Sequence, residues 1–91
     1  MSTQEKYQDE LDVLTRETPS HEIVLYNDDV NTFDHVIQML IYACDHEENQ
    51  AHQCALLVHY KGKCTVKSGE YSDLEPRCSK LLQAGLSAEI V

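Results

Sequence analysis

The stretch from His21 to Cys44 reads HEIVLYNDDVNTFDHVIQMLIYAC, and a change of period inside it decides the fold class. Ile23 and Leu25 fall on one face of a strand, Val24 and Tyr26 on the other. Beyond Asn27-Asp28-Asp29 the spacing turns helical: Phe33, Val36, Ile37, Leu40, Ile41 and Cys44 recur at i, i+3, i+4, i+7, i+8 and i+11. That is one apolar stripe, capped by Asn31 or Thr32. Strand and helix each present a single apolar face, so they must bury those faces together.

The same alternation of periods continues outward. Asp45 followed by Glu48 has the form of a capping box, and Ala51, Cys54, Ala55 and Val58 keep helical spacing, which predicts a second helix from about Glu47 to His59. Tyr60-Lys61-Gly62-Lys63 ends it. Cys64 and Val66 then alternate with Thr65 and Lys67 as a strand closed by Gly69. Ser72 with Glu75 repeats the capping-box pattern, and Leu74, Cys78, Leu81 and Leu82 form the stripe of a third helix stopped by Gly85, with Pro76 expected in its first turn. Leu86, Ala88 and Ile90 alternate as a last strand. The order β-α-α-β-α-β predicts an α+β domain, three helices packed on one face of a small three-stranded antiparallel sheet.

Residues 1–20 are polar, carry Glu5, Asp9, Glu10, Asp12 and Glu17, and end in Thr18-Pro19-Ser20, so they are expected to be a flexible extension of a core domain at 21–91. Leu11, Val13 and Leu14 could form a brief helical turn on a partner. The N-terminus lacks the apolar region of a signal peptide, and the run Val36 to Cys44 falls far short of a membrane span of about 20 residues. A cytosolic protein is expected.

With 16 Asp+Glu against 7 Lys+Arg the net charge is −9, which repels phosphate backbones and anionic lipid headgroups and argues against nucleic acid and membrane partners. A chain of this size buries only about 60–65% of its unfolded surface, so any pocket is shallow. Cys44, Cys54, Cys64 and Cys78 each sit in an apolar pattern without a C-x-x-C, as small core residues rather than a disulfide framework.

Cys44-x-His46 and His52-x-Cys54 look like metal ligand pairs, but residues two apart on a helix point about 200° from one another, so no metal is expected. His59 near Cys54 or Cys64 suggests a nucleophile, yet no Gly-rich oxyanion turn accompanies either thiol. Nucleotide-binding glycine motifs are absent, and no cofactor is implied. Two polar features remain: the acceptor-rich turn at Asn27-Asp28-Asp29, readable as a simple cap, and His59, readable as a favourable charge at a helix C-terminus.

Taken jointly, Asn27-Asp28-Asp29, then Thr32-Phe33-Asp34-x-Val36 opening a helix, then Leu57-Val58-His59-Tyr60-x-Gly62-Lys63 closing the next, resemble the ClpS adaptor family over roughly residues 21–91. The resemblance implies a non-enzymatic adaptor that binds the N-terminal residue of N-degron-bearing proteins or peptides and delivers them to a ClpA- or ClpC-type AAA+ unfoldase of the Clp protease. It places Asn27, Asp28 and His59 around the substrate's α-amino group, with Asp29 supporting the turn or the following backbone. An ammonium offers three donors and needs acceptors of this kind, and acetylation removes its charge and two donors.

The resemblance also implies a side-chain pocket for Leu, Phe, Tyr or Trp formed by Asn31, Phe33, Val36, Ala55, Val58 and Leu86, and an unfoldase-docking surface at Tyr60, Ser72, Glu75 and Arg77. Three positions depart from the family pattern: Asn31 replaces a threonine, Phe33 a gating methionine and Ala55 a second methionine. A pocket reshaped in this way is expected to admit large aromatics at least as well as Leu. Asp28, on an exposed strand end, is expected to be removable at little loss of stability. A monomer is expected. The alternative is a non-catalytic ribosome-associated or scaffold module with the same compact layout, which has no need of an amino-group site; a small hydrolase lacks a nucleophile.

Overall fold

The computed structural model describes residues 20–91. The extension and its helical turn at Leu11, Val13 and Leu14 thus fall, Ser20 apart, outside the described residues. Six elements follow in the expected order: β1 (His21–Tyr26), α1 (Phe33–Cys44), α2 (Glu48–Lys61), β2 (Lys63–Gly69), α3 (Tyr71–Gln83) and β3 (Ser87–Ile90). They form an α+β domain in which β1 is the central strand, flanked antiparallel by β2 and β3.

Strand alternation sets the inner face. Ile23 and Leu25 are fully buried and stand opposite Ile90 and Ala88 of β3, while the outer face carries Tyr26, Glu89, Thr65 and Glu22, joined by hydrogen bonds Tyr26–Glu89 and Thr65–Glu22. The inner face meets Leu40, Ala43 and Cys44 of α1, Ala51 and Val58 of α2, and Leu74, Cys78 and Leu81 of α3 in one core.

Two stripes differ from expectation. Ala43 is buried where Ile41 was expected, leaving Ile41 at 38% exposure, and Leu82 is 52% exposed on α3. On α1 the large Ile41 yields its place to Ala43, whereas on α3 the stripe narrows to Leu74, Cys78 and Leu81.

The expected capping boxes do not form. Asp45 ends α1 instead of starting α2: it takes the left-handed conformation (φ 57°), which Asp tolerates better than most residues, and its N–H donates to the Leu40 carbonyl. Ser72 lies inside α3, which begins at Tyr71, so Pro76 is its sixth residue and falls beyond the first turn. By contrast Thr32 does cap α1, accepting from the His35 N–H at 3.1 Å.

His46 is the buried polar side chain of this core, 4% exposed. The β1–β2 register slips between Ile23 and Val24, which pair with Lys67 and Thr65 and leave Val66 without an opposite residue. The bulged Val66 carbonyl accepts from His46 Nε2 at 2.6 Å, so the imidazole satisfies an acceptor that the ladder has released. His46 is thus structural. Among the described residues, no group of three or more His, Cys, Asp or Glu side chains is placed to hold a metal ion.

Candidate functional site

Asn27 follows the last residue of β1, and its N–H donates to the Gly62 carbonyl at 2.9 Å. Gly62 caps α2 in the left-handed conformation (φ 92°), where a side chain would be strained, and its own N–H returns to Val58. One backbone bond therefore ties the end of the first strand to the end of the second helix. It carries His59, three residues before Gly62, to the Asn27-Asp28-Asp29 turn.

Around that joint lies a cavity of about 510 Å³ lined by Asn27, Asp28, Asp29, Asn31, Phe33, Val36, Ala55, Leu56, Val58, His59 and Tyr60. The volume is in the range of small-ligand sites. The amino-group candidates and all but one of the pocket candidates thus share a single concavity. Leu86, the exception, is buried behind it and lines a recess of about 20 Å³ with Asn27, Asp28, Asn31, Val36 and Val58. It forms floor rather than wall. Phe33, at the first position of α1, stays 37% exposed at the rim, its ring edge-on to His52 of α2 with centroids 5.2 Å apart. His52 is exposed on α2 and matches no apolar period, so nothing in the sequence pattern marks this contact.

The two aspartates are held differently. Asp28 Oδ1 accepts from the Val30 and Asn31 N–H groups, both at 2.9 Å, and Oδ2 from Asn31 Nδ2 at 2.9 Å. These bonds, led by the Asn31 backbone N–H, hold its carboxyl below the usual Asp range. Of about four acceptor sites on a carboxylate, three are thus used by the turn. Asp28 is therefore no loosely held strand end. Asp29 is exposed, lines the cavity, and has no hydrogen-bond partner among the described residues. The same is true of the Asn27 side chain and of His59, whose ring stands edge-on to Tyr60 at 4.9 Å.

Asn31 reaches the other way as well, its Nδ2 donating to the Gly85 carbonyl at 2.9 Å. His35 Nε2 donates to the Ala84 carbonyl at 2.9 Å. These two bonds clamp the start of α1 to the α3–β3 turn and fix the floor against which Leu86 packs.

The docking candidates are dispersed. Tyr60 is on the cavity rim, whereas Glu75 faces a groove between α3 and β3. Ser72 is exposed on the first turn of α3. Arg77 turns inward to Asp45 (2.8 Å), Asp73 (3.3 Å) and the Ala43 carbonyl (3.2 Å), which makes it a clamp on the end of α1. All four cysteines are free. Burial and the neighbouring Cys64 push the Cys54 thiol up to about 12, and burial pushes Cys44 up to about 11, which favours the protonated thiol at both.

An α+β domain of three helices and three strands, with an acceptor-lined cavity where its first strand meets the end of its second helix, is the class that this geometry defines. Residues 16–89 match the profile of the ATP-dependent Clp protease adaptor protein ClpS. The chain is 32% identical over 81 residues to the ATP-dependent Clp protease adapter protein ClpS of Thermosynechococcus vestitus, covering 88% of this chain and 86% of the relative. It is 33% identical over 70 residues to the protein of the same description from a Nostoc species, covering 76% and 72%. The fold superimposes on Agrobacterium tumefaciens ClpS2, solved bound to L-phenylalaninamide, with a TM-score of 0.66 over 79% of this chain and 94% of that one, at 17% identity. The chain belongs to the ClpS family of adaptors of the ATP-dependent Clp protease.

Proposed function

We propose that this adaptor binds proteins and peptides by a free N-terminal residue with a large apolar side chain, Leu, Phe, Tyr or Trp, and delivers them to a ClpA- or ClpC-type AAA+ unfoldase without itself catalysing a reaction. It acts as a monomer in the cytoplasm. The observation that carries this reading is the set of acceptors on Asn27, Asp29 and His59, unpartnered among the described residues, beside apolar walls at Phe33, Val36, Ala55 and Val58. A scaffold module has no use for such a set. The Agrobacterium relative's ligand, a free amine joined to an aromatic side chain, supports the same pairing of chemistries.

In this reading Asp29 supplies the carboxylate to the ammonium, Asn27 its amide oxygen and His59 an imidazole lone pair. Asp28 holds the turn and has at most one acceptor site to add. Each hydrogen bond to the charged amine contributes roughly 1.5–3 kcal/mol, and burying the side chain about as much again. After association costs of at least roughly 4 kcal/mol, roughly 2–8 kcal/mol remains, which reaches about micromolar affinity at its upper end. Tyr60, Ser72 and Glu75 present exposed side chains to the unfoldase, and Arg77 supports that surface from beneath.

Fluorescence anisotropy with a Phe-initiated peptide, its N-acetylated form and a Met-initiated control tests the proposal. Acetylation is expected to weaken binding at least about 100-fold, since it removes the charge and two of the three donors. Equal binding of free and acetylated peptides would overturn it.

A further inference from the structure

We infer that His52 is a specificity-determining residue of the side-chain pocket, acting as the brace that holds the Phe33 ring at the pocket's rim. The inference rests on the N-terminal-residue reading above and concerns which first residues the site accepts.

Phe33 stands on the first residue of α1 with its ring more than one-third exposed, and an aromatic ring in that position tends to turn toward the nearest apolar gap. The cavity is such a gap: Phe33 lines it together with Ala55, whose side chain is a single methyl. What meets the ring from the α2 side is His52, edge-on at an interplanar angle of 86°. His52 stands three residues before Ala55 and seven before His59, on the same side of α2 as both. Against the ring its imidazole makes the geometry that aromatic pairs favour. A Phe33 kept at the rim leaves the full space over Ala55 for a planar first residue. If Phe33 were released it would occupy part of that space, which penalises Trp, Phe and Tyr before Leu.

The test is the ratio of affinities rather than affinity alone. His52→Ala is expected to weaken binding of Phe- and Trp-initiated peptides by about 3- to 10-fold, the range of an aromatic pair, while Leu-initiated peptides change by less than about 2-fold. His52→Phe, which keeps an aromatic edge, restores the ratio. In a Phe33→Ala background His52→Ala has no further effect, because there is no ring to brace.

Phe33 is the only phenylalanine in the chain, so fluorophenylalanine labelling reports its ring as a single resonance. That resonance shifts in His52→Ala without any peptide present. If wild-type protein separates free from acetylated peptides but the aromatic-to-Leu ratio is the same in His52→Ala, the brace is overturned and the N-terminal reading stands. If wild-type protein does not separate them, both are overturned.

Discussion

The two ends of α1 handle charge in opposite ways. At its C-terminal end Arg77, 21% exposed, is engaged by Asp45, Asp73 and the Ala43 carbonyl, so these charged groups are turned toward one another and toward the backbone. At its N-terminal end Asp28 and Asn31 are turned inward in the same way, but Asn27, Asp29 and His59 beside them have no partner among the described residues and share one cavity. Desolvating an unpartnered acceptor costs free energy, so a surface keeps such groups wet unless a ligand comes to them. One end of the helix is closed; the other is built half closed, with a rigid turn presenting open acceptors.

The sharpest break in this comparison comes from separating the two adjacent aspartates. Asp29→Ala is expected to weaken binding of a Phe-initiated peptide by about 10- to 100-fold, the value of a hydrogen bond to a charged group, with an unchanged denaturation midpoint. Asp28→Ala removes three turn bonds and is expected to lower stability by about 1–2 kcal/mol, with binding falling as the turn loosens. Urea titrations and anisotropy on the same two variants decide it. An Asp28→Ala protein of wild-type stability that no longer binds would return the amine contact to Asp28.

At the closed end Arg77→Met is expected to lower stability by about 1 kcal/mol, since it strands the Ala43 carbonyl and two carboxylates, while leaving peptide affinity within about 2-fold. Peptide binding that fell with it would mean the two ends of α1 are coupled through the helix.

What the sequence made legible was whatever depends on period. The alternation of Ile23, Val24, Leu25 and Tyr26 and the stripe from Phe33 to Cys44 determine which faces can be buried, and hence the layering. Shared cavity residues were legible because a motif preserves spacing. Hidden were the contacts made by polar side chains across long sequence separations. Asp45 could cap either of two helices; its left-handed backbone closes the first, and its carboxylate meets Arg77, 32 positions away. His46 read as a metal candidate because the bulge that frees the Val66 carbonyl leaves no mark on local composition. Asp28 and Asp29 are chemically identical, and nothing local marks which one meets the N–H groups of residues 30 and 31.

The smallest expected effect tests the hold on Asp28 through acid. The Asn31 backbone N–H holds the Asp28 carboxyl low, and the Arg77 side chain does the same to Asp45. A carboxyl whose value is depressed in the folded state stabilises fully above its unfolded value, near 3.9, and loses that contribution as pH falls through the folded value. Folding stability should therefore decline as the pH drops below about 4, with one contribution from each end of α1. Asp28→Asn and Arg77→Met are each expected to flatten part of this decline, and the double variant most of it, in urea midpoints followed from pH 5 to pH 2. Should only Arg77→Met flatten it, the Asp28 carboxylate is not gripped by its turn in solution. The open end of α1 would then be more open than its hydrogen bonds imply, with both aspartates free to meet an amine.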